Sequence, residues 1–163
     1  MIKNYSILML FLIIGSSISA QDFSELKNID LSSPEKCRDA QTKVIESCNY
    51  LLSTSCEENL KGLNAHAFII EWMIATSDFN FSLDDKLYKV IISDEILTSR
   101  YYAALAKIAI EEKLKGDELQ LKGMTLFLEY CENPSNKVKI KKKLKKYINA
   151  KNSNTLSTLI ASK

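Results

Sequence analysis

The stretch "LNAHAFIIEWMIATSDFNFSL", residues 63–83, concentrates apolar and aromatic side chains and contains the only Trp and the only His of the chain. Its first thirteen residues are polar at only three positions, Asn64, His66 and Glu71. A helix that is apolar on nearly all sides is typical of a protein core. The stretch therefore predicts a helix, from about residue 55 to 75, that is the most buried helix of the fold.

Four aromatic side chains of this stretch form a candidate aromatic cluster, which consists of Phe68, Trp72, Phe79 and Phe81. The last two alternate with polar residues, as in a short extended segment with one covered face. We expect the cluster to seal helix ends against a core, because large aromatic side chains contribute most of their free energy when buried. The alternative is that the cluster lines a cavity near Trp72, Phe79 and Phe81 for a small apolar ligand.

The rest of the chain also favours helices. It contains only four Gly and two Pro, which is few for the many tight turns of an all-β fold. Ser33 before Pro34 predicts the start of one helix, and Ser55 with Glu58 forms a capping box for the next. In a later, alanine-rich helix we assign Arg100 to the solvent-facing side. The predicted fold is all-α, a single-domain bundle of about six helices.

Residues 1–20 have the layout of a secretory signal peptide: one positive charge at Lys3, then an apolar run, and then a C-terminal region of mostly small and polar residues, "GSSISA". The apolar run is too short to span a bilayer, and no later segment is apolar over enough residues, so we expect no transmembrane span. We predict cleavage after Ala20, an N-terminal extension over residues 21–32 and a helical domain over residues 33–163. The mature protein is expected to be exported, either to the periplasm or to the extracellular space.

Four cysteines in an exported chain predict disulfides, and four cysteines allow three complete pairings. Cys37 and Cys48 lie on one predicted helix, about 16 Å apart along its axis, which excludes a bond between them. Cys37 with Cys56 is excluded in the same way. The predicted bridges are therefore Cys48–Cys56 and Cys37–Cys131. The alternative is that some of the four stay reduced as small buried side chains, and no Cys or His spacing is typical of a zinc site.

The formal net charge of +2 conceals an asymmetry along the chain. Residues 21–132 carry 20 acidic and 12 basic side chains, a net charge of −8, whereas residues 133–163 carry nine lysines and no acid. A lysine-rich helix is predicted over residues 136–150, with Ile140, Leu144, Tyr147 and Ile148 on one apolar face.

The lysines of this helix form a candidate patch for an anionic partner, which consists of Lys137, Lys139, Lys141, Lys142, Lys143, Lys145 and Lys146. Charge runs usually mark solvated helix faces, so the lysines could simply face water or complement the acidic body. Alternatively, the patch attracts an acidic lipid head group, a polysaccharide or an envelope protein, with an attraction that weakens as salt rises. Nucleic acid is excluded as a partner, because no stacking aromatic side chains interleave the run.

No motif of known catalytic chemistry is present: the chain lacks GxSxG, a P-loop, HExxH and a Gly-rich nucleotide fingerprint. His66 has no second His to act with, and Glu71 projects about 140° away around the predicted helix. We interpret His66 as a structural residue. The sequence predicts no enzyme activity, no cofactor and no metal, and it leaves the oligomeric state open.

Three runs carry a resemblance to other proteins: "FIIEWMIATSDFNFSL", "ILTSRYYAALAKIAIEEK" and "LFLEYCENPSNKVKIKKKLKKYINAKNSNTL". Over residues 65–160 they resemble a group of small, exported, all-helical bacterial proteins that has no activity to transfer. The resemblance implies export and a helical fold. The expected function is that of an exported, non-enzymatic interaction or accessory protein of the bacterial cell envelope.

Overall fold

The computed structural model describes residues 23–57, 59–81 and 86–161. The predicted signal peptide, residues 1–20, lies outside these residues. The described residues form α-helices and two 3-10 helices, with no strand among them, so the predicted all-α fold is confirmed. The α-helices are α1 Pro34–Asp39, α2 Gln41–Ser53, α3 Leu60–Ala75, α4 Tyr88–Ile91, α5 Glu95–Glu112, α6 Gly116–Glu132, α7 Lys142–Asn152 and α8 Leu156–Ala161.

Helix α5 lies at the centre of the bundle, where it packs against α2, α3 and α6. Thirteen of its eighteen residues are buried. Small side chains allow this close packing: Ala103, Ala104, Ala106 and Ala109 are fully buried. Across from α5, Gly123 of α6 leaves no room for a side chain, because a Cβ there would lie 2.5 Å from Leu105 Cδ2.

Helix α3, predicted to be the most buried, is instead a helix at the side of the bundle. Leu60, Leu63 and Ile74 are 70%, 46% and 80% exposed. The opposite side of α3 packs against α2 and α5. Apolar composition alone could not distinguish α3 from α5, because the alanines that bring α5 close to its neighbours contribute little to a hydrophobic pattern.

The first predicted helix start is confirmed. The Ser33 side chain accepts a hydrogen bond from the Lys36 amide at 3.3 Å, and Pro34 occupies the first helical position. The helix that follows is divided at Ala40 into α1 and α2. This division and the added α8 raise the predicted six helices to eight within the described residues.

The second predicted helix start is wrong by four residues. Helix α3 begins at Leu60, and its capping side chain is Asn59, which accepts from the Gly62 amide at 2.7 Å. Ser55 lies in the turn before α3, where its carbonyl accepts a hydrogen bond from the Arg100 side chain at 3.2 Å.

The segment predicted as an N-terminal extension, residues 21–32, contributes to the core over its described part. A 3-10 helix, Ser24–Asn28, packs against α3. Leu26 is 1% exposed and Phe23 is 4% exposed. These two apolar side chains make residues 23–28 part of the helical domain.

The lysine-rich helix begins later than the predicted residue 136. A second 3-10 helix, Pro134–Asn136, ends at Lys137, whose φ of 54° is left-handed and interrupts helical hydrogen bonding. Ile140, predicted on the apolar face, therefore precedes α7 and is 41% exposed. The apolar face of α7 itself is buried as predicted, through Leu144, Tyr147 and Ile148.

Candidate functional site

The aromatic cluster is part of the core. Trp72 is fully buried, and its indole nitrogen donates to the Cys37 carbonyl at 2.8 Å. Its ring centroid lies 6.0 Å from that of Phe79 and 6.1 Å from that of Phe81. Phe68 is buried one helical turn before Trp72. The structure thus gathers Trp72, Phe79 and Phe81 into one contact group that closes the end of α3.

A groove runs along the outside of this cluster. Its volume is about 320 Å³, and Trp72 is not among its lining residues. The lining is mostly apolar and includes Ile70, Met73, Phe79, Phe81 and Tyr102. An apolar ligand could therefore contact the ring partners of Trp72 without contacting Trp72 itself.

A second pocket, of about 290 Å³, lies between α3 and α5 and brings His66 together with Arg100, Ser99 and Asp94. The ring of His66 stacks on Tyr102 with centroids 5.9 Å apart, and its Nε2 is buried without a hydrogen-bond partner. Burial and the nearby Arg100 charge both lower the pKa of His66. His66 is therefore neutral near pH 7.

Arg100, assigned to the solvent side from the sequence, is 2% exposed. Its guanidinium donates to the Tyr130 hydroxyl at 3.3 Å, to Ser99 Oγ at 2.9 Å and to the Ser55 carbonyl at 3.2 Å. The Tyr130 hydroxyl in turn donates to the Thr54 carbonyl at 2.9 Å. Arg100 thus joins three separate segments of the chain through neutral acceptors.

Polar side chains of the pocket beside His66 form hydrogen bonds to the backbone of α5. Ser99 Oγ donates to the Ile96 carbonyl at 2.7 Å, and Asp94 Oδ1 accepts from the Leu97 amide at 3.1 Å as the cap of α5. In the described part of the chain, no hydroxyl or thiol is hydrogen-bonded to His66. The arrangement can hold water or a small polar molecule, and it assembles no nucleophile with a base.

None of the four cysteines forms a disulfide, so neither predicted bridge, Cys48–Cys56 or Cys37–Cys131, is present. The placement of the thiols corrects the predicted pairing. The carbonyl of Cys37 is held by Trp72, near the end of α3. Cys131 instead lies near the segment that precedes α3, because the Tyr130 hydroxyl bonds to Thr54. The two cysteines therefore have different neighbours: Trp72 for Cys37, and the segment before α3 for Cys131.

Cys48 and Cys56 also have different charged neighbours. Cys48 is fully buried against α5 beside Lys107, and burial raises the pKa of its thiol. The charges near Cys56 are those of Asp94 and Arg100. Lys107 and Arg100 are seven residues apart on α5, which is about 10 Å along a helix. The sequence could not reveal this, because the pairing depends on how α2 and its following turn lie against α5.

The lysine patch is exposed throughout: Lys137, Lys139, Lys141, Lys142, Lys143, Lys145 and Lys146 all face solvent. Lys137 forms an ion pair with Glu57 at 2.8 Å. For the other six, no carboxylate of the described residues lies within 4.0 Å. Within the described residues, six of the seven patch lysines therefore form no ion pair.

Among the described residues, no three His, Cys, Asp or Glu side chains gather as metal ligands would. None of the helices in the described ranges combines the length and apolarity needed to cross a membrane.

Comparison with protein-family models, with curated proteins and with solved structures finds no match to this chain. The resemblance to small exported helical proteins therefore stays a prediction.

Proposed function

We propose that this protein is an exported, non-enzymatic interaction protein of the bacterial cell envelope, and that its lysine patch binds an anionic surface there. The observation that carries the proposal is the set of six exposed lysines without a carboxylate partner among the described residues. A solvated helix face that only complemented an acidic body would place its lysines beside acids, as Lys137 is placed beside Glu57.

The orientation of α7 adds to this argument. Its buried stripe, formed by Leu144, Tyr147 and Ile148, fixes which side of the helix faces outward. Lys141 is the N-cap residue, and Lys142 and Lys143 occupy the first turn, with no side chain capping the helix. Positive side chains at a helix N-terminus oppose the helix dipole and reduce stability. An anionic partner would remove this repulsion and could also accept from the free amides of the first turn.

Vesicle sedimentation tests the proposal. We expect the protein to bind vesicles of phosphatidylglycerol mixed with phosphatidylcholine, to bind pure phosphatidylcholine weakly, and to be released from the anionic vesicles at 1 M salt. Each lysine near an anionic surface contributes about 1 kcal/mol, so replacing Lys142, Lys143 and Lys146 with Gln should weaken binding roughly 100-fold. Competition by an acidic polysaccharide shows whether lipid or polysaccharide is preferred.

A matched control variant replaces three lysines that lie outside the patch, so that the same amount of charge is removed. Lys27, Lys89 and Lys115 are exposed and lie outside the patch, and their replacement with Gln should weaken binding only slightly. Equal losses for the two triple variants would mean that net charge alone drives binding. Unchanged binding of the patch variant would exclude the proposed surface.

A second candidate function, the carriage of a small apolar ligand, is favoured by the groove beside the aromatic cluster. Because Trp72 is the only Trp, its fluorescence reports on Phe79 and Phe81 without interference. Titration with a long-chain fatty acid should then give a saturable change that Phe81→Ala weakens and that Ile92→Ala, an exposed position outside the groove lining, does not. A linear response without saturation would exclude this function.

A further inference from the structure

Hydrogen bonds tie the turn after α2 to the end of α6. The Cys56 amide donates to the Asn136 carbonyl at 2.7 Å, and the Asn136 side chain donates to the Tyr130 carbonyl at 2.8 Å. A chain of two hydrogen bonds thus connects the backbone of Cys56 to the residue that precedes Cys131. The Tyr130 hydroxyl adds a third connection, to the Thr54 carbonyl at 2.9 Å.

The two thiols also share one electrostatic environment. A thiolate at Cys56 raises the pKa of Cys131, after the larger effect of burial, and both thiols act on the pKa of the Tyr130 hydroxyl. Asp94 influences both cysteines as well. Cys56 is not among the groups that shift the pKa of Cys48, and Cys131 is not among those that shift the pKa of Cys37.

We propose that Cys56 and Cys131 are the cysteines that form a disulfide when the protein is oxidised, and that Cys37 and Cys48 remain thiols. This pairing takes one cysteine from each bridge expected from the sequence. Cys37 is 1% exposed and Cys48 is fully buried, and neither is among the groups that shift the pKa of Cys56 or of Cys131. The proposal stands independently of any binding by the lysine patch.

The order of the chemical steps follows from exposure. Cys56 is half-buried, whereas Cys131 is 2% exposed. A small disulfide such as oxidised glutathione therefore reacts first at Cys56: the Cys56 thiolate attacks one sulfur, a mixed disulfide forms, and one glutathione thiolate leaves. The Cys131 thiol then loses its proton to solvent and attacks Cys56 Sγ, which expels the second glutathione thiolate.

The reaction balances: two protein thiols are oxidised by two electrons, and one glutathione disulfide is reduced to two thiols, which take up the two protons. Because the thiolate is the nucleophile and burial raises the pKa of both cysteines, the rate should increase with pH. The new bond would fix the turn after α2 against the end of α6, next to the first residue of the lysine patch.

Disulfide mapping tests the pairing directly. The protein is purified under reducing conditions, treated with oxidised glutathione, alkylated in denaturant and digested without reduction. Trypsin leaves Cys48 and Cys56 in one peptide, whereas chymotrypsin cleaves after Tyr50 between them. We expect one cross-linked chymotryptic pair, containing Cys56 and Cys131, with Cys37 and Cys48 alkylated.

Single variants test the order of the steps. Cys131→Ala should stop the reaction at a glutathione adduct on Cys56, whereas Cys56→Ser should give neither a cross-link nor an adduct. Cys37→Ala and Cys48→Ala are matched controls, and both should form the cross-link as the unmodified protein does. The oxidised protein should unfold at a higher urea concentration than the reduced protein, and Cys131→Ala should lose this difference.

The pairing is overturned if the unmodified protein yields a Cys48–Cys56 or Cys37–Cys131 peptide, or if it retains four alkylated cysteines after oxidation. Mapping of the unmodified protein gives this answer even where a variant does not fold.

Discussion

The replacement Gly123→Ala tests the closest contact of the core, that between α5 and α6. The added Cβ would lie 2.5 Å from Leu105 Cδ2, 3.2 Å from its Cγ and 3.3 Å from its Cα. The first two atoms belong to a side chain that can rotate, whereas the Cα can move only with the helix backbone. Relief of the clash therefore requires both a new Leu105 rotamer and a shift of α5 relative to α6.

Two opposing effects set the magnitude. Ala is favoured over Gly inside a helix by about 1 kcal/mol, and overpacking a core costs about 1–3 kcal/mol. Because the contacts include backbone, we take the upper end of that cost and expect a net destabilisation of about 2 kcal/mol, or roughly 30-fold in the unfolding equilibrium. Urea unfolding followed by circular dichroism measures it.

A double-mutant cycle separates the clash from other effects. Leu105→Ala alone should destabilise by about 2–5 kcal/mol, because it leaves a cavity. In that background Gly123→Ala should be close to neutral, since the atoms at 2.5 and 3.2 Å are gone. As a second control, Gly62→Ala should change stability by less than about 1 kcal/mol, because its nearest neighbour is a side-chain oxygen at 3.3 Å. Additive effects of the two core changes would refute the assigned contact.

Three further predictions concern buried polar groups, each measured by urea unfolding. Trp72→Phe should destabilise by about 1–3 kcal/mol, because it leaves the Cys37 carbonyl without its donor; an unchanged midpoint would mean that water replaces the indole. Arg100→Lys should destabilise by about 2–4 kcal/mol, because an ammonium cannot reproduce the three-way guanidinium geometry, and a loss below 1 kcal/mol would contradict the network. Burial and the Arg100 charge hold the pKa of His66 below its ordinary value of 6.5, against the opposing charge of Glu95, so the unfolded chain binds the proton more readily. The free energy of unfolding should therefore fall as pH decreases through about 6.5 and level off below the folded-state pKa of His66. His66→Gln should remove this pH dependence between pH 8 and 6. If the variant keeps the same pH profile, other groups cause the dependence.

Local signals in the sequence predicted the parts of the fold that depend on local chemistry. The cap at Ser33 follows from a side-chain oxygen next to a proline, and the buried face of α7 follows from apolar residues at helical spacing. The helical class followed from the scarcity of turn residues. These features need no knowledge of distant segments.

Features that depend on contacts between distant segments were not predictable in this way. Ser55 and Asn59 are both good capping residues; in the structure Asn59 caps α3, and the Ser55 carbonyl accepts from the distant Arg100. The burial of Arg100 was missed because a charged residue in an amphipathic pattern is ordinarily assigned to water. The four buried alanines that follow it on α5 were the available signal, and they could not identify the acceptors. The predicted bridges Cys48–Cys56 and Cys37–Cys131 are not formed, and sequence spacing gives no distance between thiols on separate segments.

The hydrogen bonds of Arg100 have a consequence for the order of folding. Its partners lie 45 residues earlier, at Ser55, and 30 residues later, at Tyr130. Closing two such long loops is entropically unfavourable, so we expect these bonds to form after α2, α5 and α6 have come together. The Arg100 guanidinium would thus form its hydrogen bonds late in folding, when the helices are already assembled. Variants at this position should accelerate unfolding much more than they slow refolding.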